Sequence, residues 1–61
     1  MNGYYEEYFV VFFDEDGDIF DTVEFPTYED AENYCMERDW TEVREGGIIL
    51  YLDVKKVYRR I

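Results

Sequence analysis

Histidine, serine and glutamine are absent from the 61 residues, and cysteine, tryptophan and proline occur once each. Without His or Ser there is no Ser-His-Asp or Cys-His arrangement, and no imidazole to move a proton near neutral pH. Cys35 has no partner for an intramolecular disulfide, and a compact zinc site lacks its ordinary ligand set. Catalysis would have to rest on carboxylates, which need a cleft that shifts one pKa, and a chain this short hardly encloses a substrate. The chain is therefore read as non-enzymatic, with no catalytic residue, cofactor or metal ligand. No run approaches the ~20 apolar residues of a membrane span, and Met1 to Glu7 lacks the basic start of a signal peptide. The expected compartment is the cytoplasm, with Cys35 reduced. Opening on Met1 and closing on a basic tail, the chain is expected to be a complete small open reading frame with one domain over residues 1–61.

What is present is acid and aromatic surface. Sixteen Asp and Glu face six Lys and Arg for a formal charge of -10, while 48% of residues are hydrophobic and 21% aromatic. Disordered chains pair high net charge with few aromatics, so this one is expected to fold. A domain of this size buries only about 60% of the surface its unfolded chain exposes. With disulfide and zinc excluded, self-association is the remaining common remedy.

Residues 5 to 13 are β-branched, aromatic or acidic, and Asp14-Glu15-Asp16-Gly17-Asp18 supplies turn chemistry before a second run from Ile19 to Phe25. That pattern predicts a β-hairpin. Pro26 cannot join a sheet ladder, and Thr27 with Asp30 three residues later predicts a capped helix from about Tyr28 to Asp39, with Glu29 and Asp30 at its positive end. Trp40 to Glu45 and Ile48 to Asp53 flank Gly46-Gly47 and predict a second hairpin. The expected fold is α+β, in the order ββαββ, with one helix packed on one face of an antiparallel sheet. Residues 54 to 61 allow two readings. Val54, Val57, Tyr58 and Ile61 fit one face of a short C-terminal helix with Asp53 as its cap, and the same residues favour continuing the strand.

A three-residue loop of Glu15, Asp16 and Gly17 would pair Phe13 with Ile19, Val11 with Asp21 and Phe9 with Val23. One face then carries Phe9, Val11, Phe13, Ile19, Val23 and Phe25, facing Tyr28, Ala31, Tyr34 and Cys35 of the helix, and the second hairpin adds Val43, Ile48, Leu50 and Leu52. The opposite face holds Tyr4, Glu6, Tyr8, Val10, Phe12, Phe20, Thr22 and Glu24, too apolar to meet water, and is expected to be an interface, with a homodimer as its commonest form. The competing reading folds the C-terminal segment over this face.

Residues 6 to 32 hold eleven Asp and Glu and no Lys or Arg, whereas Lys55, Lys56, Arg59 and Arg60 crowd the end of the chain. Such a field repels phosphate backbones, which argues against direct nucleic-acid binding, and attracts a basic protein surface. Asp14, Asp16 and Asp18 match the first ligand spacings of an EF-hand loop, but Gly17 comes too early and Phe25 stands where a bidentate Glu is needed, so a plain turn is the better account. In size, charge and lack of catalytic residues the chain resembles the small acidic phage-encoded inhibitors of host defence or nucleic-acid-processing proteins, several of which mimic nucleic acid. That resemblance implies an inhibitor acting in the host cytoplasm on a protein with a basic surface. Its expected anchors are Tyr8, Phe12 and Phe20, ringed by Asp14, Glu15, Asp16, Asp18 and Glu24. The alternative is a constitutive accessory or assembly protein docked through its spare apolar face.

Overall fold

Five elements follow one another in the computed structural model, which describes residues 3–61: β1 (Tyr4–Phe13), β2 (Ile19–Phe25), α1 (Tyr28–Glu37), β3 (Thr41–Arg44) and β4 (Ile48–Arg60). The order is the expected ββαββ. The strands form one curled antiparallel sheet in the order β2-β1-β4-β3.

Local chemistry accounts for the junctions. The N–H of Asp14 donates to the carbonyl of Asp18 at 2.9 Å, closing a three-residue loop in which Gly17 takes a φ of +84°. Thr27 caps α1, its Oγ1 accepting from the Asp30 N–H at 3.1 Å. The helix stops two residues before the expected Asp39, because Asp39 and Trp40 adopt φ of 59° and 60°. Their N–H groups turn back to the carbonyls of Met36 and Cys35, a left-handed cap of the kind usually built on glycine. Gly46 and Gly47 take φ of +85° and +79°, and Glu45 joins them in the turn rather than ending β3.

Residues 54 to 60 continue the strand, not a helix. Tyr4 to Glu7 of β1 provide the ladder, with Tyr4 opposite Arg60 and Glu7 opposite Val57. Lys56 meets Glu6 at 3.7 Å and Arg59 meets Glu7 at 3.2 Å. The C-terminal segment therefore prolongs the sheet and covers neither face. The result is a molecule of 49 × 22 × 14 Å with a radius of gyration of 13.3 Å, against about 10.5 Å for a globular domain of this length.

The row of β1 beneath the helix is the reverse of the expected one, whereas Val23, Phe25, Leu50 and Leu52 lie on the expected side. Phe13 does pair with Ile19, but Phe12 pairs with Asp21, so Phe20 is an extra residue in a β-bulge. Beyond it Val11 faces Thr22 and Phe9 faces Glu24, while Val23 and Phe25 move to the side of Val10 and Tyr8. A one-residue slip exchanges faces completely. Val10, Phe12, Leu50 and Leu52 pack against Ala31 and Cys35 of α1 to make the core, with Tyr8, Phe25, Tyr34 and Val54 around it. Phe9, Val11 and Phe13 lie on the other, uncovered face with Ile19 and Val43, which are 64% and 68% exposed.

Candidate interaction surface

β1 and β4 are antiparallel neighbours, so the turn leaving β1 and the turn entering β4 lie at the same end of the sheet. This brings together acids 30 residues apart in sequence. Asp14, Glu15 and Asp16 of the first turn and Gly46, Gly47, Ile48 and Ile49 of the second line a cleft of about 340 Å³, with Glu45 in the same turn as the glycines.

The first turn is rigidly tied. Asp14 Oδ1 accepts from the N–H of Asp16 at 2.9 Å and of Asp18 at 3.0 Å, and the Gly17 N–H donates to the Asp14 carbonyl at 3.0 Å. The carboxylates of Asp14, Asp16 and Asp18 thereby come within 4.8 Å of one another. Three like charges at that spacing repel, and the turn holds them there with backbone hydrogen bonds instead of ion pairs.

Cations are engaged elsewhere. Arg44 pairs with Asp21 at 3.2 Å and with Glu42, and its guanidinium lies 5.1 Å from the Phe12 ring centroid and 5.8 Å from that of Phe20. The hydrogen bonds Arg44 donates to Glu42 and Asp21 hold its pKa above the ordinary value. Lys55 meets Asp53, Lys56 meets Glu6, Arg59 meets Glu7 and Arg38 meets Glu37. Among the described residues no salt bridge reaches Asp14, Glu15, Asp16, Asp18 or Glu45. The turn end is an uncompensated acidic pole, and the far end of the β1/β4 ribbon is electrically mixed.

The residues expected to form one site are divided. Asp14, Glu15, Asp16 and Asp18 are together at the pole. Glu24 is exposed on the uncovered face opposite Phe9, several residues along β2 from the turn. Of the expected anchors only Phe20 is well exposed, at 47%. Phe12 is fully buried beneath α1, its ring edge-on to Tyr34 at 6.3 Å, and cannot touch a partner. Tyr8 is half-buried, edge-on to Tyr28 at 6.0 Å, and donates a hydrogen bond to Glu6 that raises its pKa. The bulge that reversed the faces is the reason for both corrections.

No signal in the sequence ties the Gly46-Gly47 wall of the cleft to Asp14, because only the pairing of β1 with β4 makes the two turns neighbours. Cys35 is fully buried under the helix, and burial pushes its thiol pKa up, with Asp53 adding to the effect and Arg38 opposing it. That suits a packing role. No helix of the described residues is long and apolar enough to cross a membrane. No protein-family model matches the chain, and neither a curated protein nor a solved structure matches it.

Proposed function

We propose that the chain is a non-enzymatic inhibitor that engages a basic surface of a nucleic-acid-processing or defence protein through its acidic pole, standing in for a phosphate backbone. The observation that carries this reading is the uncompensated pole: four carboxylates in one tied turn, with every salt bridge of the described residues placed elsewhere. Holding like charges together in a chain already at -10 lowers stability, and a fixed acidic tip steers association with a cationic groove. A tip of preset geometry also spares the entropy of ordering the turn on binding.

The second reading, a constitutive accessory protein, draws on the uncovered sheet face, and ionic strength separates the two: salt weakens the charged complex and leaves the apolar one unchanged. The test is capture of cellular proteins on the immobilised chain beside a variant carrying Asp14→Asn, Glu15→Gln, Asp16→Asn and Asp18→Asn. Asn at position 14 keeps the side-chain oxygen that ties the turn. Expected is a nucleic-acid-handling protein held by the natural chain, released between about 50 and 200 mM salt and displaced by duplex DNA or RNA. Its affinity for the variant should fall by at least about tenfold. A partner held equally by both proteins and indifferent to salt and duplex overturns the proposal.

A further inference from the structure

The uncovered face of the sheet joins three properties that are seldom found on one surface. Its β1 row is apolar: Phe9 and Phe13 are half-buried and Val11 is only 5% exposed, with Glu24, Asp53 and Lys55 on the neighbouring strands. Ile49 and Tyr51 extend the apolar strip toward the acidic pole, and Val57 extends it along the ribbon. Its ends differ in charge. The pole holds Asp14, Glu15 and Asp16 beside Ile49, whereas the ribbon presents Lys55 and Arg59 paired with Asp53 and Glu7 on the same face.

Its size also suits a stable complex. The broad side of the molecule measures 49 by 22 Å, at most on the order of 1,000 Å², against the ~800 Å² per partner of a standard interface. The accessible surface of 4640 Å² exceeds the roughly 4,200 Å² expected of a folded monomer of 7.5 kDa. Furthermore, the ribbon of residues 4–7 and 57–60 has no third strand and no helix against it, and two strands alone are marginal in water.

Turned end for end, such a surface sets the acidic pole of each copy against the cation-bearing ribbon of the other and keeps the two poles apart. A nucleic acid would be repelled by the pole. We infer that a second copy of this chain covers the open face, antiparallel, about a two-fold axis that crosses the strands near Val11 and Asp53, where each Asp53 keeps its own Lys55 at 3.1 Å as counter-ion. Ile49 and Val57 lie equal distances either side of Asp53, so each Ile49 meets Val57 of the other copy. By the same spacing Arg59 arrives beside Gly47, at the mouth of the cleft lined by Asp14, Glu15 and Asp16. Arg59 remains half-exposed while it contacts Glu7, and the five donors of a guanidinium leave enough for a second carboxylate. Parallel stacking would instead set pole on pole. The inference concerns association alone and stands whether or not the pole binds a nucleic-acid-processing protein.

The test takes the full chain through size exclusion with light scattering, then through two sets of variants. Expected is twice the 7.5 kDa chain mass, and a monomer at high micromolar concentration overturns the inference. Ile49→Asp and, separately, Ile19→Asp should keep the circular dichroism of the natural chain and weaken dimerisation about 30-fold or more. A dimer indifferent to both has another interface and also overturns it. Orientation is read by disulfide formation: Ile49→Cys mixed with Val57→Cys should cross-link readily. Ile49→Cys by itself should not, since the two copies of that position stand about 26 Å apart at ~3.3 Å per residue over eight residues. Rapid linking of Ile49→Cys to itself would mean parallel stacking.

Discussion

The two faces of the sheet are made of alternate residues of the same strands, yet one is sealed and the other open. From Tyr8 to Phe13 every position of β1 is apolar or aromatic, so β1 itself does not choose between them. The flanking strands choose. Beneath the helix, Val10 and Phe12 stand beside Val23, Leu52 and Val54, with Asp21 their one charged cross-strand partner, whereas Phe9 and Val11 on the open face stand beside Thr22, Glu24, Asp53 and Lys55. Cross-strand neighbours decide which of two apolar rows is worth burying first, and here a single bulged residue, Phe20, decided the neighbours. A helix of ten residues can cover one face only.

The sharpest way to break this contrast is to truncate adjacent phenylalanines. Phe12→Ala should cost about 3–5 kcal/mol, enough to unfold much of a chain whose whole stability, at about 0.05–0.15 kcal/mol per residue, is only a few kcal/mol. Phe13→Ala, one residue along and on the open face, should cost about 1 kcal/mol in dilute solution. Urea titrations of both at low chain concentration give the comparison, and equal losses would mean that the open face is already covered within the monomer. A smaller effect tests the cover itself: Thr27→Ala removes the acceptor for the Asp30 N–H and should cost about 1 kcal/mol, with helical circular dichroism lost before the sheet signal.

The smallest effect is alkaline. Burial raises the Cys35 thiol pKa above its ordinary 9.0 in the folded chain, so the neutral thiol is favoured there. The resulting stability is complete below the unfolded pKa and is lost as pH rises through about 9 toward the folded value. Cys35→Ala should flatten that slope between about pH 9 and 10, below the range where Tyr8 and Tyr28, both raised from 10.0, add losses of the same sign. An unchanged slope in the variant would mean that the helix does not shield this position.

Legibility in the sequence followed the range of the interaction. Gly17, Thr27 with Asp30, and Gly46-Gly47 act over two to five residues, and each marks a turn or cap where it was read. The first pair of the hairpin, Phe13 with Ile19, was equally accessible because the loop sets it. The register beyond was not, since a bulge leaves no composition signal in a strand where Ile19-Phe20 is as apolar as its partner. The residues of the acidic turn were visible as a charge run, but the cleft needed Gly46, Gly47, Ile48 and Ile49 from a segment that no local rule connects to it.

By itself, then, the sequence determined the element order, the capped helix, the two tight turns and the polarised charge, because each depends on backbone sterics or on residues near in the chain. Only the tertiary structure decided which apolar row is covered, that residues 54 to 60 extend the sheet, and that the two turns share an acidic pole. The physical reason is the same throughout: an alternating strand with apolar residues on both sides offers two nearly equivalent burials, and long-range pairing selects between them.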